Sequence, residues 1–138
     1  NVYGPRQQGK TGAGVVPIFS NLLRKGTRPT IFGDGTKARE YVYVGDIARA
    51  NILALQRGDN EIMNLGSGKA TTDDEIFYTL ASELSFKKKP IYAPYRKGEV
   101  YKIALDGKKG QKILGWRPTV SLREGIRLTL QTIKPNRD

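Results

Sequence analysis

The 138-residue sequence contains no cysteine and no histidine. Without cysteine there are no disulfides, no thiolate catalysis and no cysteine-ligated zinc. Without histidine the commonest general base near neutral pH, and the commonest metal ligand, is missing. Any chemistry must rest on carboxylates, Lys, Tyr, Ser or Thr. No apolar run approaches the roughly 20 residues of a membrane helix. The opening Asn1–Lys10 is polar and lacks the apolar core of a signal peptide. The sequence begins with Asn rather than Met, as expected of a fragment or processed product. Internal repeats are absent, and Lys87–Lys89 is the one low-complexity tract.

Apolar residues make up 38% and charged residues 27%, ordinary values for a globular chain with room for one compact domain. The net charge of +11 is unevenly spread. Residues 1–85 carry ten basic and nine acidic side chains, whereas residues 86–138 carry fourteen basic and four acidic. Such a field favours anionic partners, whether nucleic acid, anionic lipid or a phosphorylated small molecule, although scattered lysines also serve solvation.

The opening Asn1–Gly14 reads as a loop, and helical spacing predicts a helix over Val15–Lys25, with Pro17 in its first turn and Gly26 as its stop. Thr30–Phe32 is a strand candidate ended by the Gly33-Asp34-Gly35 turn, and Tyr41–Val44 is a second. Asp46 is placed to N-cap a helix running to about Arg57. Ile62–Leu65 reads as a third strand before Gly66-Ser67-Gly68. Two helices open on capping-box patterns, Thr72-x-x-Glu75 and Ser121-x-x-Glu124. The first buries Ile76, Phe77, Leu80 and Leu84; the second buries Leu122, Ile126, Leu130 and Ile133 and stops at Pro135. Between them fall strand candidates near Pro90–Ala93 and Tyr101–Leu105 and a short helix from Asp106 to Leu114. Short strands alternating with helices define an α/β or α+β chain with too few segments for a complete doubly wound sheet.

A dinucleotide fingerprint requires Gly-x-Gly-x-x-Gly between strand and helix. Gly33-x-Gly35 and Gly66-x-Gly68 lack the third glycine and read as turns. Lys10-Thr11-Gly12 has no Ser-x-x-Lys companion and carries no hydrolase signal. Polar residues beside turns are better ligand candidates: Asn1, Arg39, Asn64 and Arg96. Two arginines suit a diphosphate, because guanidinium offers paired donors and keeps its charge when desolvated. Phe32 is placed to stack on a planar base. Taken singly, the arginines read as solvated charges and Phe32 as core. Asn64, inside the apolar Ile-Met-Asn-Leu-Gly, is expected to be buried, where an unpartnered amide costs about 1–3 kcal/mol.

Seven blocks in order carry a family resemblance: Asn-Val-Tyr-Gly-Pro-Arg-Gln (1–7), Gly-Val-Val-Pro-Ile-Phe (14–19), Thr-Ile-Phe-Gly-Asp-Gly (30–35), Arg-Glu-Tyr-Val-Tyr-Val-Gly-Asp-Ile (39–47), Met-Asn-Leu-Gly-Ser-Gly (63–68), Ala-Pro-Tyr-Arg-Lys-Gly-Glu-Val (93–100) and Leu-Gly-Trp-Arg-Pro (114–118). The chain resembles the carboxyl-terminal, substrate-binding part of UDP-glucose 4-epimerase-like enzymes of the extended short-chain dehydrogenase/reductase family. That resemblance implies a small α/β lobe over residues 1–138, lacking the amino-terminal Rossmann half. By the same resemblance Asn1, Val15, Thr30, Phe32, Arg39, Asn64, Arg96 and Glu99 bind a nucleotide sugar, with Thr30 and Phe32 on the pyrimidine, the arginines on diphosphate and ribose, and Glu99 on the ribose hydroxyls. Val2 and Tyr3 match the loop beside the nicotinamide.

The resemblance also implies a cytoplasmic parent enzyme, homodimeric, that binds UDP-sugars and holds NAD in its other half. That parent oxidises the sugar reversibly at C4 and re-reduces it from the opposite face, with a Tyr-x-x-x-Lys pair. Here no Tyr stands four residues before a Lys, so no catalytic residue is assigned and no turnover by this chain alone is expected. Two alternatives stay open. One is the same lobe of a dTDP-glucose 4,6-dehydratase or of a uronate or hexosamine epimerase; the other is a free-standing basic module for nucleic acid. Apolar faces that pack on the other half, such as the Ile47–Leu55 helix, are expected to lie exposed.

Overall fold

The computed structural model describes residues 1–7 and 14–132. The Lys10–Gly12 tripeptide and the expectations for Ile133 and Pro135 lie outside the described residues. Six short strands and five helices follow in the order β1 (Val2–Tyr3), α1 (Val15–Arg24), β2 (Thr30–Phe32), β3 (Ala38–Glu40), β4 (Val42–Tyr43), α2 (Val44–Ala54), β5 (Ala70–Thr72), α3 (Asp73–Glu83), β6 (Ile91–Ala93), α4 (Lys108–Leu114) and α5 (Leu122–Thr132).

The strands pair as three two-stranded units rather than one sheet. β1 runs parallel to β4, β2 parallel to β6 with Phe32 opposite Ala93, and β3 antiparallel to β5 with Arg39 opposite Thr71. Helices do most of the burying. The larger core gathers Val16, Phe19 and Leu23 of α1, Ile31 of β2, Ile76, Phe77 and Leu80 of α3, Ile126 and Leu130 of α5, and Tyr3. A smaller core joins Val42, Ala50, Leu114 and Trp116.

Local chemistry explains the helix ends. Gly26 follows α1 at φ +70°, the left-handed stop expected of it. Thr72 and Glu75 close a full capping box: the Glu75 amide donates to Thr72 Oγ1 at 3.1 Å and the Thr72 amide to Glu75 Oε2 at 2.7 Å. The second box is half made, because the Glu124 amide reaches Ser121 Oγ at 3.3 Å while the Glu124 carboxylate turns to Arg127.

Three expectations are corrected. Asp46 is not an N-cap: the N-cap of α2 is Tyr43, three residues earlier, and Asp46 sits in its first turn. Its buried carboxylate is used at longer range, accepting the amides of Thr119 and Val120 at 3.0 Å each and the Thr119 hydroxyl at 2.8 Å. Ile62–Leu65 is not a strand, and Ile62 is 91% exposed. Tyr101–Leu105 contributes a single bridge, Lys102 to Ala38, because the Leu105 amide is drawn to Glu40 instead of to a neighbouring strand.

Helix α2 is exposed on one side only. Ile52 and Leu55 stand out at 64% and 85%, while Ala50 is buried and Ile47 and Leu53 pack on the smaller core.

Candidate nucleotide site

Period-two alternation in β3 separates two jobs. Ala38 and Glu40 are buried with the half-exposed Arg39 between them, while Lys37, just before the strand, lines a cleft. On the inward side Glu40 staples two distant segments. Its Oε1 accepts the Ser67 amide, the Ser67 hydroxyl at 2.8 Å and the Gly68 amide at 2.9 Å, while Oε2 accepts the Leu105 amide at 2.6 Å. Burial pushes this carboxyl's pKa up, but the hydrogen bonds from Leu105, Ser67 and Gly68 outweigh burial and hold it below the ordinary value.

That cleft, of about 290 Å³, opens between α1, β2 and the segment leading out of β6. It is lined by Val15, Ile18 and Phe19 of α1, Thr30, Ile31 and Phe32 of β2, and the charged groups Lys37, Asp73, Arg96 and Glu99. Gly33 makes the rim possible. At φ +104° it adopts a conformation that side chains avoid, and a Cβ there would run into the Tyr95 ring.

The cleft is amphipathic, with an apolar floor and an ionic rim. The Arg96 guanidinium stands over the Phe32 ring at 3.5 Å from its centroid. Arg96 also lies 3.7 Å from Glu99, and the Lys37 ammonium contacts Glu99 and sits 3.7 Å from Asp73. The Lys37 hydrogen bond is the main reason the Glu99 carboxyl stays below its usual pKa. Asp73 goes the other way: burial raises it, with the Lys37 and Arg39 charges opposing.

Five of the ten residues singled out in the sequence therefore share this cleft: Val15, Thr30, Phe32, Arg96 and Glu99. Arg39 lies outside the lining. Its Nη1 donates to Ala38 O at 3.0 Å and to Tyr101 O at 3.4 Å, yet its charge reaches both Asp73 and Glu99. Asn1 is exposed at the start of β1, its Nδ2 donating to Glu40 O at 3.2 Å. Val2 is 48% exposed, but Tyr3 is core, its hydroxyl donating to Leu122 O at 3.3 Å, so its ring is not offered to a cofactor. Asn64 corrects an expectation: it is exposed, on an irregular segment whose carbonyl runs close past Gly110 of α4, and the penalty for a buried amide does not arise. Lys37 and Asp73 were missed by sequence reasoning. The spacing of Lys37, two residues before Arg39 on a strand, was the available signal.

The glycine turns do not fit a dinucleotide. Gly33-Asp34-Gly35 leads into a strand rather than a helix, and the Ser67 and Gly68 amides are already spent on Glu40.

The cleft thus sets an apolar floor beside the Arg96 guanidinium, the Lys37 ammonium and the carboxylates of Glu99 and Asp73. Residues 1–66 match the family model described as NAD dependent epimerase/dehydratase family. A UDP-glucose 4-epimerase of Mycolicibacterium smegmatis is 39% identical over 132 residues, 95% of this chain and 42% of that protein. A Methanocaldococcus jannaschii protein provisionally named UDP-glucose 4-epimerase is 47% identical over 136 residues, 99% of this chain and 44% of its own length. A solved UDP-glucose 4-epimerase of Thermotoga maritima, in a structure with UDP-glucose, superposes with a TM-score of 0.92 at 48% identity, covering 96% of this chain and 43% of that one. The chain belongs to the NAD dependent epimerase/dehydratase family. Its fold is that of a partial lobe of such enzymes, and it spans less than half the length of the curated relatives it matches.

Proposed function

We propose that this chain is the nucleotide-sugar-binding lobe of an NAD-dependent nucleotide-sugar 4-epimerase of the UDP-glucose type. The observation that carries this reading is the convergence of Val15, Thr30, Phe32, Arg96 and Glu99 on one cleft. In it the pyrimidine lies against Phe32 and Thr30, the diphosphate takes Arg96, with Arg39 adding positive field from behind, and Glu99 accepts the ribose hydroxyls.

Arg96 must leave the Phe32 ring for this to happen. A cation–π contact at an exposed site is worth about 0.5–1 kcal/mol. Each charge-assisted hydrogen bond to phosphate is worth roughly 1.5–3 kcal/mol. A paired contact to the diphosphate therefore outbids the ring and frees its face for the base.

The remaining assignments belong to the same proposal. A preceding Rossmann half supplies the Tyr-x-x-x-Lys pair and holds NAD, with Val2 and Tyr3 contributing their backbone beside the nicotinamide and Asn1 reaching the sugar diphosphate. Asn64 takes a polar contact near the same group. The intact enzyme is a cytoplasmic homodimer, and this chain alone turns nothing over. Among the described residues no helix is long and apolar enough to cross a membrane.

Calorimetric titration with UDP and with dTDP tests the reading. UDP is expected to bind, and Arg96→Lys to weaken binding by about tenfold, because Lys cannot supply the paired fork. If neither nucleotide gives heat or shifts the NMR signals of Phe32 and Arg96, the reading fails. Equal binding of dTDP moves it to the dehydratase branch. Binding of RNA that weakens steeply with salt and tolerates Arg96→Lys moves it to the basic-module alternative.

A further inference from the structure

Glu40, Asp46 and Lys37 are buried charges among the described residues, and they are partnered in two different ways. Glu40 accepts chiefly backbone amides, and Asp46 accepts two amides, the Thr119 hydroxyl and the Arg49 guanidinium, all away from the cleft lining. Lys37, 8% exposed, gives its ammonium to two side-chain carboxylates, Glu99 and Asp73, and both line the cleft. Continuing outward, Glu99 lies 3.7 Å from Arg96, and Arg96 stands over Phe32. A single run of contacts thus links the start of α3 to the aromatic floor: Asp73, Lys37, Glu99, Arg96, Phe32.

We infer that Lys37 is a positioning residue, which sets the place of Arg96 through Glu99 without touching the ligand. This rests on the nucleotide reading above and deepens it. The loop that carries Arg96 is pinned to β2 at one end, where the Gly33 amide donates to Ala93 O at 2.7 Å, and to β3 at the other, where the Ala38 amide donates to Tyr101 O at 2.9 Å. Between those pins, Lys37 draws Glu99, and with it Arg96, against the cleft. The same ammonium offsets two carboxylates that would otherwise face a dianionic ligand. An exposed pair would do little of this, but a desolvated ammonium holds its partners in one geometry.

The test uses Lys37→Met, Glu99→Gln and the double variant of this chain. In the ligand-free protein, Arg96 side-chain protons carry an upfield ring-current shift from Phe32, read by NMR. Lys37→Met is expected to abolish that shift and to lower UDP affinity by about tenfold: it frees the Phe32 face, but an Arg96 no longer held beside the cleft loses more at the diphosphate than the vacated ring gives back. Glu99→Gln should also lose the shift and at least as much affinity, because Glu99 meets the ribose as well, and the double variant should lose no more than Glu99→Gln, since Lys37 acts through it. An unchanged Arg96 shift in Lys37→Met overturns the inference. Additive affinity losses also overturn it, because they place Lys37 directly on the ligand. Lys37→Gln, which keeps a polar tip in the same space, substitutes if the Met variant does not fold. If the unsubstituted chain binds no UDP, the nucleotide reading fails, and the ligand-free shift still decides whether Lys37 positions Arg96.

Discussion

Replacing Glu40 by Gln changes one atom, yet it should cost far more than a surface change. The two carboxylate oxygens are not interchangeable with an amide. Oε1 collects the Ser67 amide, the Ser67 hydroxyl and the Gly68 amide, while Oε2 collects the Leu105 amide at 2.6 Å. A Gln must turn its NH₂ towards one set, so donor meets donor whichever way it lies. At least one charge-assisted bond worth roughly 1.5–3 kcal/mol is lost, a buried amide is left unpaired, and the surviving bonds lose their charge. The expected destabilisation is about 3 kcal/mol, against a total of roughly 5–15 kcal/mol for a domain. For a chain of this size that lowers Tm by about 10 °C. Urea and thermal melts of both proteins measure it, with Glu75→Gln as control, because an amide there keeps an acceptor in the exposed capping box. The urea slope should not change, since the same surface is exposed on unfolding. A Glu40→Gln midpoint within error of the parent would refute the account of Glu40 as the tie between the turn at residues 66–68 and the segment at 103–105.

The pH dependence follows from the same groups. Burial pushes Glu40 and Asp46 up, but the bonds they accept bring both below their ordinary pKa. The stability they add is present above the unfolded carboxylate range near pH 4 and is lost as pH falls through the folded values. Thermal melts between pH 7 and 2 should show that loss, with a shallower slope in Glu40→Gln; equal slopes would contradict it. Trp116→Phe removes a fully buried indole whose Nε1–H donates to Asp46 O at 2.7 Å, and should cost about 2–4 kcal/mol in urea melts. Gly125→Ala should destabilise by about 1–3 kcal/mol although Ala is the better helix former, because its methyl would strike the Tyr3 ring and hydroxyl. Stabilisation in that variant would show that β1 gives way freely. Thr72→Ala should lose about 1 kcal/mol through the cap of α3.

Helices were readable because their signals are local. The apolar spacing of α1, α3 and α5 and the Thr72 box needed nothing beyond a dozen neighbouring residues. Among the described strands β2, β4 and β6 were readable from the β-prone runs at Thr30–Phe32, Tyr41–Val44 and Pro90–Ala93, whereas β1, β3 and β5 were not. Ile62–Leu65 has strand composition, but β-propensity expresses packing on a pleated surface. Here Met63 and Leu65 pack on the smaller core and no ladder forms. Asp46 had the right residue type for a cap, but its partners lie more than seventy positions away. Within the cleft, Arg96 and Phe32 were legible as a guanidinium and a ring beside turns. Their stacking on each other was not, since no spacing in the chain encodes it.

The run from Lys37 to Asp46 shows why motif residues should be sorted by the face they occupy before a role is given to them. Lys37, just before β3, lines the cleft and Arg39 on the strand is half-exposed beside it, whereas Ala38 and Glu40 turn into the fold. A one-residue slip of the strand would put the Glu40 staple where Arg39 stands and the Arg39 guanidinium into the fold. Glu40 and, beyond the strand, Asp46 fix the register from the inner side by holding the segments at 67–68, 105 and 119–120. The acids of the Arg-Glu-Tyr-Val-Tyr-Val-Gly-Asp block thus do structural work that holds β3, and with it the adjoining Lys37, at the cleft. It follows that Glu40→Gln and Lys37→Met should both reduce nucleotide affinity but separate in a melt. The first is expected to lose stability and affinity together, and the second chiefly affinity, because Lys37, unlike Glu40, lines the cleft.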